Sequence, residues 1–328
     1  MSGTPANNQA PTGCVNLGLI GVGRWGTRYA STLPDIDGVN LSLVVSRNPA
    51  TRDMVAPDCK IFHDWRDALD SEALDGLIVA TPPETHYEIA SACCALGIAL
   101  LIEKPLTLSS TQARELQRQA KQRGLLIMVD HTHLFSSAYG TLKVLAPTLG
   151  KPLRIYAVGS NNGPFREDVD ALWDYGPHDV SMCLDLLGQD PVAIRAQLVS
   201  SPPATNSHGM LVEIRLEFSD GSEAEITVGN LAQEKQRRFE VRGVNGSLVY
   251  DDLAQDKLVA MDLDGRRTPL RLDQSLPLTL AIKAFRDAIA NGETEHCSFS
   301  LGVRVVELLE QIATQLKTAG GYHDAIRI

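Results

Sequence analysis

The sequence lacks an excess of basic residues and any long apolar run. Among its 328 residues, Lys and Arg number 30 against 40 Asp and Glu, a formal net charge of -10, so a basic surface that neutralises nucleic-acid phosphates is not expected. The longest weakly polar stretch, residues 89–102, contains Gly97 and is shorter than the roughly 20 residues that span a bilayer. The sequence therefore predicts neither a nucleic-acid-binding protein nor a transmembrane helix.

CxxC pairs are absent from the sequence, and its first residues are not expected to form a secretory signal. Six cysteines are present, but no two form a CxxC pair and most lie in apolar segments, which favours reduced, buried thiols over a disulfide framework or a zinc site. The first thirteen residues, MSGTPANNQAPTG, carry neither a positive charge nor an apolar core. They are typical of a disordered tail, not of a secretory signal, and we expect a cytoplasmic protein.

The length suggests two domains of about 150 residues each. In residues 14–131, short apolar runs alternate with amphipathic stretches, which predicts an α/β domain with a doubly wound parallel sheet. Strands are predicted at Val15–Ile20, Val39–Ser46, Lys60–Phe62, Gly76–Ala80, Ile98–Ile102 and Leu125–Val129. Helices are predicted at Trp25–Leu33, Trp65–Leu69, Glu84–Leu96 and Ser109–Arg123.

Residues 132–328 are rich in consecutive strands joined by turns such as Ser219–Ser222, which predicts an α+β domain with an antiparallel sheet. Because the solvent face of a broad sheet is otherwise a large apolar patch, we expect self-association through it. Strands are predicted at Leu153–Ser160, Val192–Val199, Leu211–Phe218, Glu223–Val228, Arg238–Arg242, Gly246–Tyr250 and Lys257–Leu263, and helices at Pro177–Leu187, Leu278–Ala290 and Leu301–Thr318.

A GxGxxG motif, Gly21 to Gly26, joins the first predicted strand to the first predicted helix. In this context Gly21 makes the tight turn, Gly23 lets a pyrophosphate approach the backbone, and Gly26 lets helix and strand pack. Glycines that only shape a turn are the alternative. The position at the start of a series of strand–helix units favours a dinucleotide site.

The acidic residue that usually follows the second strand and binds the ribose 2′-hydroxyl is absent. Ser46 and Arg47 occupy its place, and a hydroxyl and a guanidinium suit a 2′-phosphate that a carboxylate would repel. This favours NADP, with NAD as the alternative. Arg47 as an ordinary loop residue is the competing interpretation, and Arg52 is a second candidate for the phosphate.

The fifth predicted strand runs directly into Glu103-Lys104-Pro105. Ligands of open α/β sheets bind outside the carboxyl ends of the strands, so Lys104 is expected in the crevice where a nicotinamide would lie. A surface lysine is the alternative.

Four motifs in this order resemble the glucose-fructose oxidoreductase and inositol dehydrogenase family, Gfo/Idh/MocA. They are the glycine loop, the turn Ala80–Pro83 followed by His86, Glu103-Lys104-Pro105, and Asp174-Tyr175-Gly176-Pro177-His178. The resemblance covers almost the whole chain after residue 13. It implies a Rossmann domain and a second domain with a large open, mainly antiparallel sheet used for association into a homodimer or homotetramer.

The resemblance also implies an activity and its residues. The activity is hydride exchange between NAD(P) and a ring hydroxyl of a sugar, sugar nucleotide or cyclic polyol, with Lys104, Asp174 and His178 at the catalytic positions. Expected cofactor contacts are Gly21, Gly23, Arg24, Trp25, Gly26, Ser46, Arg47, Thr81, Pro82, His86, Glu103 and Lys104. Expected substrate contacts are Lys104, His131, Arg166, Trp173, Asp174 and His178.

The residue types at the implied catalytic positions suit alcohol oxidation, which needs a base within hydrogen-bond reach of the hydroxyl. His178 is the candidate base. Its predicted place at the start of the Pro177 helix favours neutral imidazole, whereas Asp174 beside it would orient the ring and favour the charged form. Lys104 would hold the substrate oxygen and relay the proton. A helix-cap histidine without chemistry is the alternative for His178.

A narrower likeness connects His131-Thr132, Arg166–Asp168 and Leu172–Asp179 with family members that act on nucleotide-linked aminosugars. Arg166 would then clamp a carboxylate or phosphate, and Trp173 would be either core packing or a wall of the sugar site. His131 and His133 lie two apart on a predicted strand, but no further ligands stand at metal spacing, so no metal is expected.

Two other functions are compatible with these motifs. A nucleotide-bound sensor could share the fold without turnover, although a sensor has no need of Lys104, Asp174 and His178 together. A lyase or hydrolase with a tightly held cofactor is the other alternative.

Overall fold

Six parallel strands form the first sheet, as the alternation of apolar and amphipathic segments predicts. In the computed structural model, which describes residues 13–70, 73–200 and 209–318, their order is β3-β2-β1-β4-β5-β6. The order reverses between β1 and β4, the switch point at which open α/β sheets bind ligands. The strands are β1 (Val15–Ile20), β2 (Val39–Val45), β3 (Lys60–Phe62), β4 (Gly76–Val79), β5 (Ala99–Glu103) and β6 (Ile127–Asp130).

Helices connect these strands and cover the sheet, so the predicted doubly wound α/β class is confirmed. Short 3-10 segments precede or follow several of them, at Leu33–Asp35, Pro49–Met54, Pro83–Thr85 and Thr132–Phe135. The helices are α1 (Gly26–Thr32), α2 (Trp65–Leu69), α3 (His86–Leu96) and α4 (Ser110–Arg123). Their ends lie within two residues of the predicted ones, the usual scatter of helix termini.

Eight strands form the second sheet, in the order β14-β13-β12-β11-β7-β10-β9-β8. All neighbours are antiparallel except β7 and β10, which pair in parallel. The predicted large, mainly antiparallel sheet is therefore confirmed. The strands are β7 (Arg154–Asn162), β8 (Ala193–Ser200), β9 (Leu211–Glu217), β10 (Glu223–Gly229), β11 (Leu231–Gly243), β12 (Gly246–Asp251), β13 (Leu258–Met261) and β14 (Arg267–Pro269).

The outer face of this sheet is charged, which corrects the expectation of a large apolar patch. Along β9, Val212, Ile214 and Leu216 are buried whereas Arg215 is exposed, the alternation of a half-buried strand. Charged side chains pair across the outer face, including Arg215–Glu225, Arg195–Glu217, Arg154–Glu223 and Glu240 with Arg238 and Arg242.

The helix that carries the Asp174–His178 motif begins earlier than predicted. It is α6 (Ala171–Leu187), and the Asp170 side chain caps it by accepting a hydrogen bond from Trp173 N at 3.1 Å. Proline is favoured in the first turn of helices, so the sequence pointed to Pro177 as the start; instead Pro177 lies inside the helix. His178 is therefore two turns from the amino end, where the helix dipole no longer acts on it.

Helix α5 (Ser137–Leu145) was not predicted. Its central Gly140 weakens the helical pattern in the sequence. The structure shows that the Ser136 hydroxyl caps it by accepting a hydrogen bond from Ala138 N.

The last two described helices pack on the first sheet as well as the second. Helix α7 (Pro277–Ala290) places Phe285 and Ile282 in one apolar cluster with Leu17. Helix α8 (Cys297–Thr318) lies against β6, where the Ser298 hydroxyl accepts a hydrogen bond from Val129 N at 3.1 Å. A division of the chain into domains at residue 131 stays a prediction, and these contacts show that residues after it complete the first core. The predicted tail, residues 1–13, lies outside the described residues except for Gly13.

All six cysteines are free thiols. Four are buried (Cys59, Cys93, Cys94 and Cys183), whereas Cys14 and Cys297 are exposed. Burial raises the pKa of the Cys93 thiol to about 12. Within the described parts of the chain, none of the helices is both long enough and apolar enough to cross a membrane.

Candidate active site

The glycine loop joins β1 to α1, and each glycine has a different steric reason. Gly21 has φ +91 and its Cα lies against the Ala80 carbonyl, so an added Cβ would be 2.8 Å from that oxygen. At Gly26 a Cβ would lie 1.8 Å from the Gly21 oxygen. At Gly23 no atom lies within 4 Å of an added Cβ. Gly21 and Gly26 are therefore needed for packing, while Gly23 leaves open space in front of the loop.

An open cleft of about 440 Å³ extends from this loop across the ends of β2, β3 and β4. Ser46 and Arg47 lie in it, as does Pro82. Ser46 Oγ accepts hydrogen bonds from Asn48 N at 3.1 Å and Thr51 Oγ1 at 2.7 Å, so its own proton is free to be donated. Arg47 is exposed and forms no ion pair within the described residues.

Sequence reasoning missed one wall of this cleft. His63, Asp64, Trp65 and Arg66 line it. They follow β3, which neighbours β2 in the sheet, and the signal available in the sequence was the predicted strand Lys60–Phe62 directly before them. Arg66 lies over the Trp65 ring at 4.2 Å and pairs with Glu88 at 2.5 Å.

Arg52 does not face the cleft, which corrects its candidacy for a phosphate. Its guanidinium donates to the carbonyl oxygens of Cys59 at 2.9 Å and Val55 at 3.4 Å, and also to that of Ala56. These bonds tie together the loop after β2.

His86 also differs from its expected role as a cofactor contact. It is buried, and its ring nitrogens lie 2.9 Å from the carbonyl oxygens of Pro105 and Thr81. The ring therefore connects the turn after β4 to the turn that carries Lys104. Burial lowers the pKa of His86.

Glu103 is buried, 4% exposed, and is not among the residues that line the cleft. Arg24 and Trp25 lie in the glycine loop, with the Arg28 guanidinium 4.7 Å from the Trp25 ring centroid. Glu103 and His86, two of the expected cofactor contacts, are thus buried and do not line the cleft.

A bond between Lys104 and Asp174 joins the turn after β5 of the first sheet to helix α6, which packs on the second sheet. Lys104 Nζ donates to Asp174 Oδ1 at 3.0 Å and to the Asp174 carbonyl at 2.6 Å. Arg166 Nη1 lies 3.3 Å from the same carboxyl oxygen, while the rest of its guanidinium pairs with Asp168. Burial opposes the ionisation of Asp174, but the charges of Lys104 and Arg166 outweigh it, and the pKa of Asp174 is lowered.

His178 lies one turn after Asp174 on α6, but no hydrogen bond between them is present among the described residues. Asp174 therefore does not orient the His178 ring directly, which corrects the sequence-based expectation. The ring instead packs edge-on against His133, with centroids 5.0 Å apart, and His133 Nδ1 is 2.9 Å from Tyr250 Oη. Burial, and then the charge of Lys104, hold the pKa of His178 well below its usual value.

His131 and Trp173 are buried in the protein, 1% and 4% exposed. Strand β6 ends at Asp130, so His131 and His133 lie in a 3-10 segment and its cap and not on a strand. Burial lowers the pKa of His131 to about 3. Of its two proposed roles, Trp173 has the core-packing one. In residues 13–70, 73–200 and 209–318, no group of three His, Cys, Asp or Glu side chains is arranged to hold a metal.

A doubly wound sheet with a glycine loop at its switch point, facing a lysine at the end of β5, is the arrangement of dinucleotide-dependent oxidoreductases. Residues 15–131 match the family model described as the oxidoreductase family with an NAD-binding Rossmann fold, and residues 144–249 match that of the GFO/IDH/MocA C-terminal domain. Together the matches cover more than half of the chain, which belongs to the Gfo/Idh/MocA family. It is an NAD(P)-dependent dehydrogenase or reductase acting on CH–OH groups.

Several relatives are known by structure or name. The chain is 37% identical to a putative oxidoreductase from Magnetospirillum magnetotacticum MS-1, with a TM-score of 0.82 over 90% of this chain and 98% of that one. It is 28% identical to UDP-N-acetylglucosamine 3-dehydrogenase of Acidithiobacillus ferrooxidans over 69% of this chain and 71% of the relative. It is 26% identical to the scyllo-inositol 2-dehydrogenase (NADP(+)) IolW of Bacillus subtilis, and that match spans 57% of this chain and about half (55%) of the relative.

Proposed function

We propose that this enzyme prefers NADP and transfers a hydride between the cofactor and a ring hydroxyl or ketone of a sugar, sugar nucleotide or cyclic polyol. The observation that carries the proposal is the bond between Lys104 and Asp174. It brings the turn after β5, at the cofactor edge of the first sheet, against the helix of the second domain that carries His178.

The residues of the cleft fit a nicotinamide dinucleotide. The open space at Gly23 leaves room for a pyrophosphate against the backbone. Ser46 has a free hydroxyl proton, and Arg47 offers a guanidinium without an ion-pair partner in the described residues. These two groups favour the 2′-phosphate of NADP over the bare ribose of NAD. When bound, the cofactor supplies the hydride-accepting or hydride-donating ring.

Lys104 and His178 divide the work on the substrate hydroxyl. The Lys104 ammonium is held by Asp174 and donates a hydrogen bond to the substrate oxygen. His178 is neutral at physiological pH because its pKa is lowered, so it is able to accept the hydroxyl proton. In the reverse direction the same groups return a proton to the ketone oxygen.

The substrate class rests on the relatives' names, a UDP-linked aminosugar dehydrogenase and an inositol dehydrogenase. Arg166, the proposed anion clamp, has its guanidinium engaged by Asp168 and Asp174. In this proposal Arg166 holds Asp174 in place. A carboxylate or phosphate of the substrate competes with the two aspartates for the Arg166 guanidinium. A cytoplasmic location and a homodimer or homotetramer complete the proposal.

A panel of sugars, inositols and nucleotide sugars, each assayed by the absorbance change of NADPH, tests the proposal. We expect turnover on at least one class, lost in Lys104→Ala. The matched control is Lys143→Ala. Lys143 pairs with Asp185 at 2.8 Å, and Asp185 lies on α6 near the end opposite to Asp174. Ligand binding without any turnover would support the sensor alternative instead.

A further inference from the structure

The imidazole ring of His63 is fixed to the backbone of the residue that precedes Arg47. His63 follows β3 and lines the cofactor cleft. Its Nδ1 lies 2.9 Å from the Ser46 carbonyl oxygen, and because a carbonyl oxygen only accepts hydrogen bonds, Nδ1 carries a proton. Ser46 N in turn donates to the Phe62 carbonyl oxygen at 2.8 Å. These two bonds hold the ring beside the residues proposed to bind the 2′-phosphate of NADP.

The other ring nitrogen, His63 Nε2, is open to a ligand. The residue is exposed, and Nε2 has no hydrogen-bond partner among the residues that the structure describes. Since Nδ1 is turned to the Ser46 carbonyl, Nε2 lies within one ring width of that oxygen. A polar atom is therefore available in the cleft close to the end of β2.

The protonation state of the ring decides what Nε2 is able to bind. In the neutral ring the proton is on Nδ1, so Nε2 carries a lone pair that repels a phosphate oxygen. When the ring takes up a second proton, Nε2–H becomes a donor on a positively charged group and forms a charge-assisted hydrogen bond with phosphate. His63 is thus suited to a phosphate only as the imidazolium.

The charged residues around His63 nearly cancel one another. Those that line the cleft in the described chain are Arg47, Asp64 and Arg66. Asp64 Oδ1 accepts hydrogen bonds from Arg66 N at 2.9 Å and Arg66 Nη1 at 3.3 Å, which lower the pKa of Asp64, and Glu88 of α3 pairs with the same guanidinium at 2.5 Å. Two carboxylates thus offset two arginines, while a phosphate monoester brings a charge of about −1.5 to −2 at pH 7. Another cation is needed there.

We propose that His63 is a third ligand of the 2′-phosphate of NADP, beside Ser46 and Arg47, and that it binds this phosphate as the imidazolium through Nε2–H. The inference rests on the proposed preference for NADP. Because only the protonated ring binds the phosphate, NADPH binding takes up a proton, and NADPH affinity rises as pH falls through the range in which histidines titrate. NADH lacks the phosphate and takes up no proton at His63.

Calorimetric titration at pH 7 in two buffers of different ionisation enthalpy measures this proton uptake. The free phosphate contributes little, because its own pKa of about 6 leaves it mostly dianionic at this pH. We expect the wild type to take up part of a proton per NADPH bound and none per NADH. Equal proton uptake with the two cofactors would overturn the proposal, even if no His63 variant folds.

The substitution His63→Gln separates the charge of the ring from its bond to the backbone. Glutamine keeps an N–H donor for the Ser46 carbonyl but does not titrate. The wild type should bind NADPH about 10-fold more tightly than this variant at pH 6, and within about 2-fold of it at pH 8. NADH affinities should match at both pH values. The control is His296→Gln, which changes a histidine bonded to Ser298 at the start of α8 and should follow the wild type.

The outcomes separate this inference from the proposed function. A preference for NADPH with the same pH dependence in wild type and His63→Gln would overturn the role of His63 and leave the NADP assignment intact. A wild type that prefers NADH at both pH values would contradict the NADP assignment, and the inference with it. An NADPH affinity that gains from low pH in the wild type more than in His63→Gln would support both.

Discussion

Glu103 and Asp130 are direct partners in the parallel pairing of β5 and β6, and neither carboxyl reaches solvent. Tyr29 donates a hydrogen bond to Asp130 Oδ2. Burial, followed by the charge of Asp130, raises the pKa of Glu103, and burial likewise raises that of Asp130. Two buried carboxyl groups at adjacent strand ends therefore both keep their protons to a higher pH than free carboxyl groups do.

The raised pKa of Glu103 gives a pH dependence of stability with a definite sign. Above the ordinary Glu pKa of about 4.3, the folded state holds a proton that the unfolded state has lost, so stability falls as pH rises through the folded pKa. Glu103→Gln should reduce the difference in Tm between pH 5 and pH 8, measured by thermal melts. Glu115→Gln on the exposed face of α4 is the control. An equal pH slope in Glu103→Gln and wild type would contradict this account.

The glycine loop separates a stability effect from a binding effect. Gly26→Ala forces a Cβ against the Gly21 oxygen and should destabilise the fold by about 2 kcal/mol or more. Gly23→Ala meets no protein atom, so its Tm should stay unchanged while NADPH affinity falls about 10-fold, through about 1.4 kcal/mol of lost contact. Calorimetry and cofactor titration on both variants check this pair. A Gly23→Ala protein that binds NADPH like wild type would show that the cofactor does not approach this glycine.

Cofactor preference depends on Arg47 in this proposal. Arg47→Ala should weaken NADPH binding by on the order of 1 to 3 kcal/mol, the range for a hydrogen bond to a charged group, and leave NADH nearly unchanged. Arg52→Ala is the matched control, because Arg52 binds backbone carbonyls outside the cleft. Wild-type protein that prefers NADH in the same titration would contradict the NADP assignment.

Lys104 and His178 should act as one unit in catalysis. Loss of a positioned general base costs roughly 100- to 10,000-fold in rate, so His178→Ala and Lys104→Ala should each lose turnover on that scale while NADPH affinity survives. The double variant should fall little below the slower single variant, as for groups that share one proton path. Hydride-transfer kinetics with NADPH titration of each variant makes the measurement. Near wild-type turnover in both single variants would exclude these roles.

We expect self-association through the outer face of the second sheet, and reversing one charge on that face tests this prediction. Arg215→Glu would put a third carboxylate near Glu225 and Glu217 in place of the Arg215–Glu225 pair. We expect a dimer or tetramer for the wild type in light scattering at micromolar concentration and a monomer for this variant. Arg118→Glu on α4, which also breaks an exposed ion pair, should keep the assembly. A monomeric wild type would contradict the prediction.

Local sequence patterns were enough for most of the first sheet. The bounds of β1 and β3 coincide with the predicted strands Val15–Ile20 and Lys60–Phe62, because apolar runs ended by turn-forming residues determine where such strands stop. The glycine loop was readable for the same reason. Its steric demands lie within a few residues of one another.

Features set by contacts distant in sequence were not readable in this way. The start of α6 was misplaced because Pro177 resembles a first-turn proline, and the Asp170 cap that overrides it gave a weaker signal. The partner of Asp174 was expected to be His178, but Lys104, 70 residues away, takes that position. The burial of His86 and Glu103 likewise depends on neighbouring strands and turns that no local pattern describes.

The packing of α7 on the first sheet has a consequence for how this protein is made. During synthesis, Leu17 and its neighbours leave the ribosome early, but Phe285 and Ile282, which cover them, are added only after more than two hundred further residues. The apolar residues around Leu17 therefore lack their contacts with α7 until almost the whole polypeptide has been translated. The region synthesised first is among the last to be completed, and its apolar surface is open to aggregation during that interval.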